Sequence, residues 1–440
     1  MGSSVNRSGE QGSFVYHLIF PALILWLATT WTGFDRFVAA AAALVLIALV
    51  IMERTGILTR VNPSSNILLV AGAMALIYDM LIQRMSFIDR SLALAIHLGG
   101  GLVLLVVWLC NRWERAGVAL AAILIFSALV GAYSINQIPE PRIDVWRAHA
   151  GAAELLSTGG NPYADLDLSQ DLTDPSSKRW QYFYPPVALA WYSGWTMVLG
   201  DPRWAGLIAW LGALAIGGWI LMRIPHPAWG VTLLAVTAVQ PGWFMLLTGS
   251  FTEPLLMLLV VSFLALRKLH PTWGAIVLGL ALGAKQHLLL AIPALLVGWN
   301  GYDRRRGTIA ALTAIGAFAL GGAFGPAQFL TATVIDPAVA APVNLQSVTL
   351  IGLLSAFGIT IAIPAFVAIG LSVGAGLLAS RAPLRGAWQS RAIAASVATF
   401  LALGDFAIWS NWTLVAYLLT IGGIASWAAA KPHHTPVTTH

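Results

Sequence analysis

The sequence predicts an all-α polytopic membrane protein, and three observations support this fold class. Of the 440 residues, 58% are hydrophobic and only 10% are charged, which leaves too few polar side chains to cover a soluble protein. The mean hydropathy is +0.79. Apolar runs of membrane-spanning length recur along the chain with short basic clusters between them. We therefore expect a helical bundle of about 13–15 spans.

The apolar runs divide the chain into four regions. A flexible cytoplasmic N-terminus at 1–13 precedes four additional N-terminal spans within 14–116, and 431–440 form a cytoplasmic tail. The region 117–430 contains the remaining spans and a polar loop at 137–184. The predicted spans lie at 14–33, 37–52, 66–83, 91–110, 117–136, 204–222, 230–247, 253–267, 272–285, 287–299, 308–327, 359–379, 391–410 and 412–430.

The basic clusters predict the orientation of these spans, because Lys and Arg accumulate on the cytoplasmic side. They place the loop 137–184 outside, provided that the apolar piece 185–199 does not cross. Fifteen residues give a helix of about 22 Å, short of the hydrocarbon core, so we expect a re-entrant or interfacial helix there. The polar segments 248–254, 283–287, 328–350 and 404–412 then share the outer face with this loop, and 328–350 is expected to be irregular.

The remaining composition excludes several classes of function. The net charge is +6, but the basic residues lie beside apolar spans, so we expect no nucleic-acid partner. The single cysteine, Cys110, permits no disulfide within the chain and no cysteine-based metal site. Acidic residues are dense only at 165–174, so we expect neither a required metal ion nor another cofactor.

The outer loop supplies the first candidate site residues. It holds seven of the eighteen acidic residues, among them Glu140 and Asp144. Asp144 opens a predicted helix, and Arg147 lies on the same face. A carboxylate at the outer interface can act as a general base on a hydroxyl. The alternative is that Asp144 simply stabilises the N-terminus of its helix.

Two polar interruptions of the later spans supply further candidates. Glu253, followed by Pro254, begins a span and either caps the helix or binds a sugar hydroxyl or an ammonium group. Lys285, Gln286 and His287 interrupt a long apolar run, where ionisable groups are expensive and indicate function. Lys285 and His287 could bind a phosphate, or Lys285 could pair with Glu253.

Tyrosines next to prolines form the last group of candidates. Tyr163 follows Asn161 and Pro162, and Tyr184 precedes Pro185 in the stretch YFYPPVALAWY. Their rings can stack on a sugar and their hydroxyl groups can form hydrogen bonds. Such aromatic residues also anchor proteins at the membrane interface, which is the alternative for both.

The order of these features resembles the GT-C superfamily of membrane glycosyltransferases. The features are an outer loop with Asp144, a Gly-Asn-Pro-Tyr turn, a Tyr-Pro-Pro segment, a span opening on Glu253-Pro254 and an Ala-Lys-Gln turn at 284–286. Within the superfamily the chain is most similar to bacterial polyprenyl-phosphate-sugar-dependent mannosyl- and arabinofuranosyltransferases. The resemblance covers 117–430. Two features depart from the pattern: Ile143 replaces the first of two paired acidic residues, and four extra spans come first.

The resemblance implies a multi-pass protein of the bacterial plasma membrane with its active site at the outer surface. The donor would be a polyprenyl-phosphate-linked sugar, and the acceptor a glycan or glycolipid hydroxyl beside membrane lipid. The acidic residue of the first outer loop corresponds to Asp144, with Glu140 as the second candidate. We expect inverting transfer with Asp144 as general base. The alternatives are a lipid-linked-sugar flippase, another polytopic transporter and a non-catalytic assembly subunit.

Overall fold

The computed structural model of the chain describes residues 90–112, 114–141, 143–168, 181–223, 227–239, 241–297, 301–335, 363–381 and 388–403, and most of 69–77. These residues are predominantly helical, and none of them lies in a β-strand. The all-α class is therefore confirmed. The tails 1–13 and 431–440, and the spans predicted at 14–33, 37–52 and 412–430, lie outside the described residues.

Fifteen α-helices are labelled here in chain order within the described ranges. They are α1 (Arg90–Arg112), α2 (Ala116–Gln137), α3 (Asp144–Ser157), α4 (Pro162–Asp165), α5 (Pro186–Leu199), α6 (Pro202–Leu221), α7 (Pro227–Ala238), α8 (Pro241–Thr248), α9 (Glu253–Leu269), α10 (Pro271–Gly283), α11 (Ile292–Val297), α12 (Gly301–Ala319), α13 (Pro326–Leu330), α14 (Ala365–Arg381) and α15 (Trp388–Leu403). Short 3₁₀ segments, Gln286–Ala291 and Leu320–Phe324, precede α11 and follow α12.

Several of these helices have the length and apolar character of membrane spans. Within the described residues, four helical stretches meet both conditions: Ser91–Arg112, Ala116–Gln137, Pro202–Leu221 and Arg304–Phe324. The helices α7 and α8 together form a fifth if they count as one broken span. Large apolar side chains such as Leu98, Leu129 and Leu312 remain exposed on these helices, as expected for lipid-facing surfaces. The class of polytopic membrane protein is therefore confirmed, whereas the number of 13–15 spans remains a prediction.

The structure differs from the sequence prediction at three places. The predicted span 230–247 consists of two helices, α7 and α8, that meet at 57°, and Pro241 is the first residue of the second helix. The predicted span 287–299 begins as a 3₁₀ helix. Residues 328–335, predicted to be irregular, are helical, and a π-helical turn at Thr331–Ile335 follows α13.

Proline begins many of the helices in the region of the candidate site. It occupies the first or second position of α4, α5, α6, α9, α10 and α13. Proline suits these positions because the amide it lacks would have no partner inside the helix. The chain can therefore turn sharply between short helices in this region.

Three apolar cores hold the bundle together. The first joins α1, α2, α6, α7 and α8, and the second joins α9, α10, α11 and α15. The third packs α3 and α5 against the turn before α9 and against α13, and it is rich in tyrosine. The third core contains two of the candidate site residues, Tyr163 and Tyr184.

Glycine allows α10 and α12 to approach each other closely. A Cβ atom on Gly279 would lie only 2.5 Å from Thr313 Cβ, and one on Gly283 would lie 3.2 Å from the Ala314 carbonyl oxygen. Two glycines four residues apart on one helix face permit such backbone contact in membrane helices. The contact sets the position of the chain break that follows α10.

A buried arginine ties the end of α2 to the start of α6. Arg203 is only 1% exposed and donates Nη hydrogen bonds to the carbonyl oxygens of Ile138 and Pro139. It also pairs with Asp201, with Nη2 2.6 Å from Oδ2. Trp146 of α3 donates to Asp201 at 3.2 Å. These contacts connect α2, α3 and α6 at one end of the bundle, and we call them the Arg203 clamp.

We predict that Arg203→Met destabilises the protein by about 3 kcal/mol, because it removes a charge partner from Asp201 and donors from two carbonyl groups. Arg203→Lys should be intermediate, since lysine lacks the planar fork of donors. Thermal unfolding in detergent measures both. Arg304→Met, at an exposed arginine, is the control, and equal effects of the Arg203 and Arg304 variants would contradict the clamp.

Candidate functional site

The contacts between loops bring the ends of many helices together. Tyr192 of α5 donates its hydroxyl hydrogen to the Phe251 carbonyl oxygen at 2.6 Å, which joins α5 to the turn before α9. Asn161 donates from Nδ2 to the carbonyl oxygen of Phe324, at the end of the 3₁₀ segment after α12. Together with the Arg203 clamp, these contacts place 138–144, 161–163, 184, 250–253 and 324 at the same end of the bundle.

Asp144 is the first residue of α3. Its Oδ1 accepts a hydrogen bond from the Val145 amide at 2.9 Å, and its side chain remains exposed. Dense protein on its other sides removes water and raises the pKa of Asp144 above its ordinary value of 3.8, while the Val145 hydrogen bond acts in the opposite direction. A carboxylate with a raised pKa is a better proton acceptor near neutral pH than an ordinary aspartate.

The two charged neighbours of Asp144 have different surroundings. Glu140 lies in the connection between α2 and α3 and is exposed. Arg147 follows Asp144 by one helical turn and is half-buried. Arg147 is therefore close to Asp144 along α3, whereas Glu140 lies before the helix.

A stack of three rings fixes α3 against α5. His149 is fully buried and lies between the rings of Tyr184 and Tyr192, with centroid separations of 5.0 and 4.1 Å. Its Nδ1 lies 3.1 Å from the Tyr182 hydroxyl oxygen. Burial lowers the pKa of His149 to about 3, so the ring is neutral at pH 7 and acts as part of the core.

Tyr184, just before α5, is affected by the charges of two carboxylates. Burial raises the pKa of its phenol, and the negative charges of Glu253 and Asp144 raise it further. Its ring stacks on His149 of α3, with the ring centroids 5.0 Å apart. The charges of Asp144 and Glu253 therefore act on the same tyrosine.

Tyr163 forms a hydrogen bond with the backbone of Tyr184. It is fully buried, donates its hydroxyl hydrogen to the Tyr184 carbonyl oxygen at 2.8 Å and packs on the ring of Phe329 at 5.0 Å. Its amide binds the Asn161 side chain at 3.0 Å, which caps α4. This geometry favours a role for Tyr163 in positioning Tyr184.

Glu253 and Lys285 form a buried ion pair. Glu253 is fully buried and Lys285 is 9% exposed, and Lys285 Nζ donates to Glu253 Oε1 at 2.7 Å. The pair connects the first residue of α9 to the break after α10. It is the pairing that the sequence raised as an alternative to phosphate binding by Lys285.

The helix breaks at Lys285, as the sequence predicts. Lys285 has an extended backbone, with φ of −147° and ψ of 126°, and the 3₁₀ segment begins at Gln286. Gln286 and His287 are half-buried in this segment. The break separates α10 from α11 and turns three consecutive polar residues towards the bundle.

No cluster of three or more His, Cys, Asp or Glu side chains that could hold a metal ion occurs in the described part of the chain. The reactive groups available in this part of the chain are carboxylates, an ammonium group, a guanidinium group and phenol hydroxyls.

Sequence reasoning missed several residues of this region. Asp201 and Arg203 had a readable signal, since Asp before Pro at a helix start is typical of an N-cap. Tyr192 lies in the quoted stretch YFYPPVALAWY, where a third tyrosine could have been noted. Nothing in the sequence marks His149, because an isolated histidine in a helix has no distinctive spacing.

Comparisons with protein-family models, with curated proteins and with solved structures returned no match for this chain.

We predict that His149 makes the protein less stable as the pH falls below neutral. The unfolded state binds a proton near pH 6.5 and the folded state only near 3, so stability falls between these values by up to about 1.4 kcal/mol per pH unit. His149→Phe keeps a ring in the stack and should lose this dependence. Unfolding in detergent across pH 7 to 4 measures it, with His270→Gln, at an exposed histidine, as control.

We also predict strong coupling between Glu253 and Lys285. Lys285→Met leaves a buried carboxylate without its cation and should cost about 3–5 kcal/mol, whereas the double variant Glu253→Gln/Lys285→Met should recover most of that loss. Unfolding of the two single variants and the double variant gives the coupling energy. Additive effects would show that the ion pair contributes nothing to stability.

Proposed function

We propose that the protein transfers a sugar from a polyprenyl-phosphate donor to an acceptor hydroxyl at the outer face of a bacterial plasma membrane. The fold would then be a bundle of the GT-C type with its active site around Asp144, Tyr184, Glu253 and Lys285. The observation that carries the proposal is a continuous set of contacts: His149 of α3 stacks on Tyr192, whose hydroxyl group donates to the carbonyl oxygen of Phe251, two residues before Glu253. Glu253 in turn pairs with Lys285.

This arrangement supports the two functions that glycosyl transfer needs. An exposed carboxylate with a raised pKa can accept a proton from the acceptor hydroxyl. A cation held in place by a buried carboxylate can stabilise negative charge that develops on a leaving phosphate. Exposed apolar side chains on the neighbouring helices suit a lipid-linked donor.

In the proposed reaction, Asp144 removes the proton as the acceptor oxygen attacks the anomeric carbon. The bond between that carbon and the phosphate oxygen breaks, and its electron pair stays on the polyprenyl phosphate. Attack opposite the leaving group inverts the configuration. Lys285 and His287, with Arg147 from α3, stabilise the departing phosphate, and Asp144 then releases its proton to water.

The position of α5 supports placing this site at the membrane surface. Tyr184, just before α5, stacks on His149, and Asp201, just after it, accepts a hydrogen bond from Trp146 in the same region of α3. A helix of fourteen residues whose two flanks contact one short stretch does not cross a bilayer about 30 Å thick. In the proposed function, α5 is therefore an interfacial or re-entrant helix, and its exposed side chains Met197 and Val198 face lipid.

We predict that Asp144→Asn lowers the transfer rate by about 10²–10⁴-fold and leaves donor binding unchanged. Purified protein in lipid nanodiscs is supplied with labelled polyprenyl-phosphate sugars and candidate glycolipid acceptors, and product is followed over time. Because the pKa of Asp144 is raised, the acid limb of kcat/KM for the wild type should lie above the range of an ordinary aspartate.

Two controls separate the alternatives. Glu154→Gln, at an exposed carboxylate of the same helix, should transfer at the wild-type rate, and Glu140→Gln tests the second candidate base. Normal transfer by Asp144→Asn together with a large loss in Glu140→Gln would assign the base to Glu140. With the protein in sealed vesicles, movement of labelled lipid from one leaflet to the other without transfer would identify a flippase.

A further inference from the structure

The turn before α9 carries buried polar groups that have no partner among the described residues. Ser250, Thr252 and Glu253 are each 0% exposed. In the described part of the chain, Ser250 Oγ, Thr252 Oγ1 and Glu253 Oε2 accept and donate no hydrogen bond, and the same holds for Gln286 Oε1 beside Lys285. Buried polar atoms are nearly always paired, and each unpaired one costs about 1–3 kcal/mol. Three of these atoms belong to the turn that carries Glu253 and the fourth to the neighbour of Lys285, so unpaired polar atoms accumulate at the two ends of one ion pair.

The backbone of this turn is strained and firmly held. Ser250 has a φ of 59°, a left-handed conformation that suits glycine and is unfavourable for serine. The turn is fixed by the hydrogen bond from the Phe251 amide to the Leu246 carbonyl oxygen at 2.9 Å and by the Tyr192 hydroxyl on Phe251. A serine thus occupies the position where glycine would be less strained. Its hydroxyl group is the feature that glycine lacks.

The charges and hydrogen-bonding groups select the chemistry of the ligand. The positive charge of Lys285 is balanced by Glu253, so the pair is neutral as a whole. The atoms without partners are two acceptors, Glu253 Oε2 and Gln286 Oε1, and two hydroxyl groups that can donate or accept. Directly against Glu253 Oε2 and Gln286 Oε1 an anion would be repelled, so a phosphate group could approach only from the side of Lys285 Nζ. A neutral molecule with several hydroxyl groups can form hydrogen bonds with all four atoms.

We infer that the turn 248–253 and Gln286 form a recognition site for the hydroxyl groups of a sugar ring, with Glu253 Oε2 as the main acceptor. The inference rests on the proposed function, because it identifies the ring as that of the donor. It places the sugar beside Tyr184, between Asp144 and the ion pair. In this arrangement Glu253 has two roles: Oε1 holds Lys285 for the phosphate, and Oε2 binds the sugar.

The test compares two lipids that differ only in the sugar: polyprenyl phosphate and polyprenyl-phosphate hexose. Ser250→Gly removes the hydroxyl and relieves the backbone strain. It should be at least as stable as the wild type, bind the hexose lipid about tenfold more weakly and bind the plain phosphate lipid unchanged. Glu253→Gln removes the charge that holds Lys285 as well as the sugar acceptor, so it should weaken binding of the hexose lipid by about 10–100-fold and binding of the phosphate lipid by less.

Ser127→Ala is the matched control. Ser127 is also 0% exposed and its Oγ lacks a partner among the described residues, but it belongs to α2 and not to the turn. Its substitution should change the affinity for neither lipid. Affinities are measured by titration of each lipid into protein in nanodiscs, and thermal unfolding of each variant shows that it is folded.

The other outcomes overturn specific parts of the inference. Equal losses for both lipids in Ser250→Gly mean that the turn binds phosphate, and no loss for either lipid means that water alone fills it. A third arm titrates free hexoses and pentoses into the wild type and Ser250→Gly. If the wild type binds neither lipid but binds a free sugar that Ser250→Gly does not, the sugar site stands and the donor proposal fails. If the wild type binds none of these ligands, both are wrong.

Discussion

The ion pair between Glu253 and Lys285 constrains the site more than any other contact. Each residue on its own would bring an unpaired charge into an apolar bundle, where the loss of hydration costs several kcal/mol. The start of α9 and the break after α10 must therefore meet, which fixes how these two helices align. Close packing of α10 on α12 at Gly279 extends this constraint to a third helix.

A second set of contacts brings the distant Asp144 to this pair. The Arg203 clamp holds the connection between α2 and α3, and the stack of His149 with Tyr184 and Tyr192 holds α3 on α5. Tyr192 then continues through its hydroxyl group to the Phe251 carbonyl oxygen, next to Glu253. The side chains that connect α3, which begins at Asp144, to the turn before Glu253 are thus largely aromatic rings held in fixed positions. Preorganised charge stabilisation requires such rigidity.

The sequence predicts most of the fold and only part of the site, for physical reasons. Helices such as α2 follow directly from a largely apolar run of about twenty residues without a charged side chain, and the predicted 117–136 agrees with Ala116–Gln137. The break at Lys285 could be predicted because charge in an apolar run is rare. The partner of Lys285 stayed one of two alternatives, since pairing across 32 residues depends on packing. His149 and Ser250 carry no periodic signal, because their importance arises from burial and backbone geometry.

The contacts that hold the turn at Ser250 explain how a stable protein can retain buried polar atoms without partners among the described residues. The ion pair and the Tyr192 hydrogen bond stabilise the turn enough to tolerate a left-handed serine and the buried Glu253 Oε2. In the proposed function, a sugar that supplies the missing hydrogen bonds recovers this free energy on binding. A ligand without the matching hydroxyl leaves the atoms unpaired and is rejected strongly, whereas an apolar site distinguishes such ligands poorly. In the proposed function, these buried groups would therefore favour a sugar that pairs with them over one that does not.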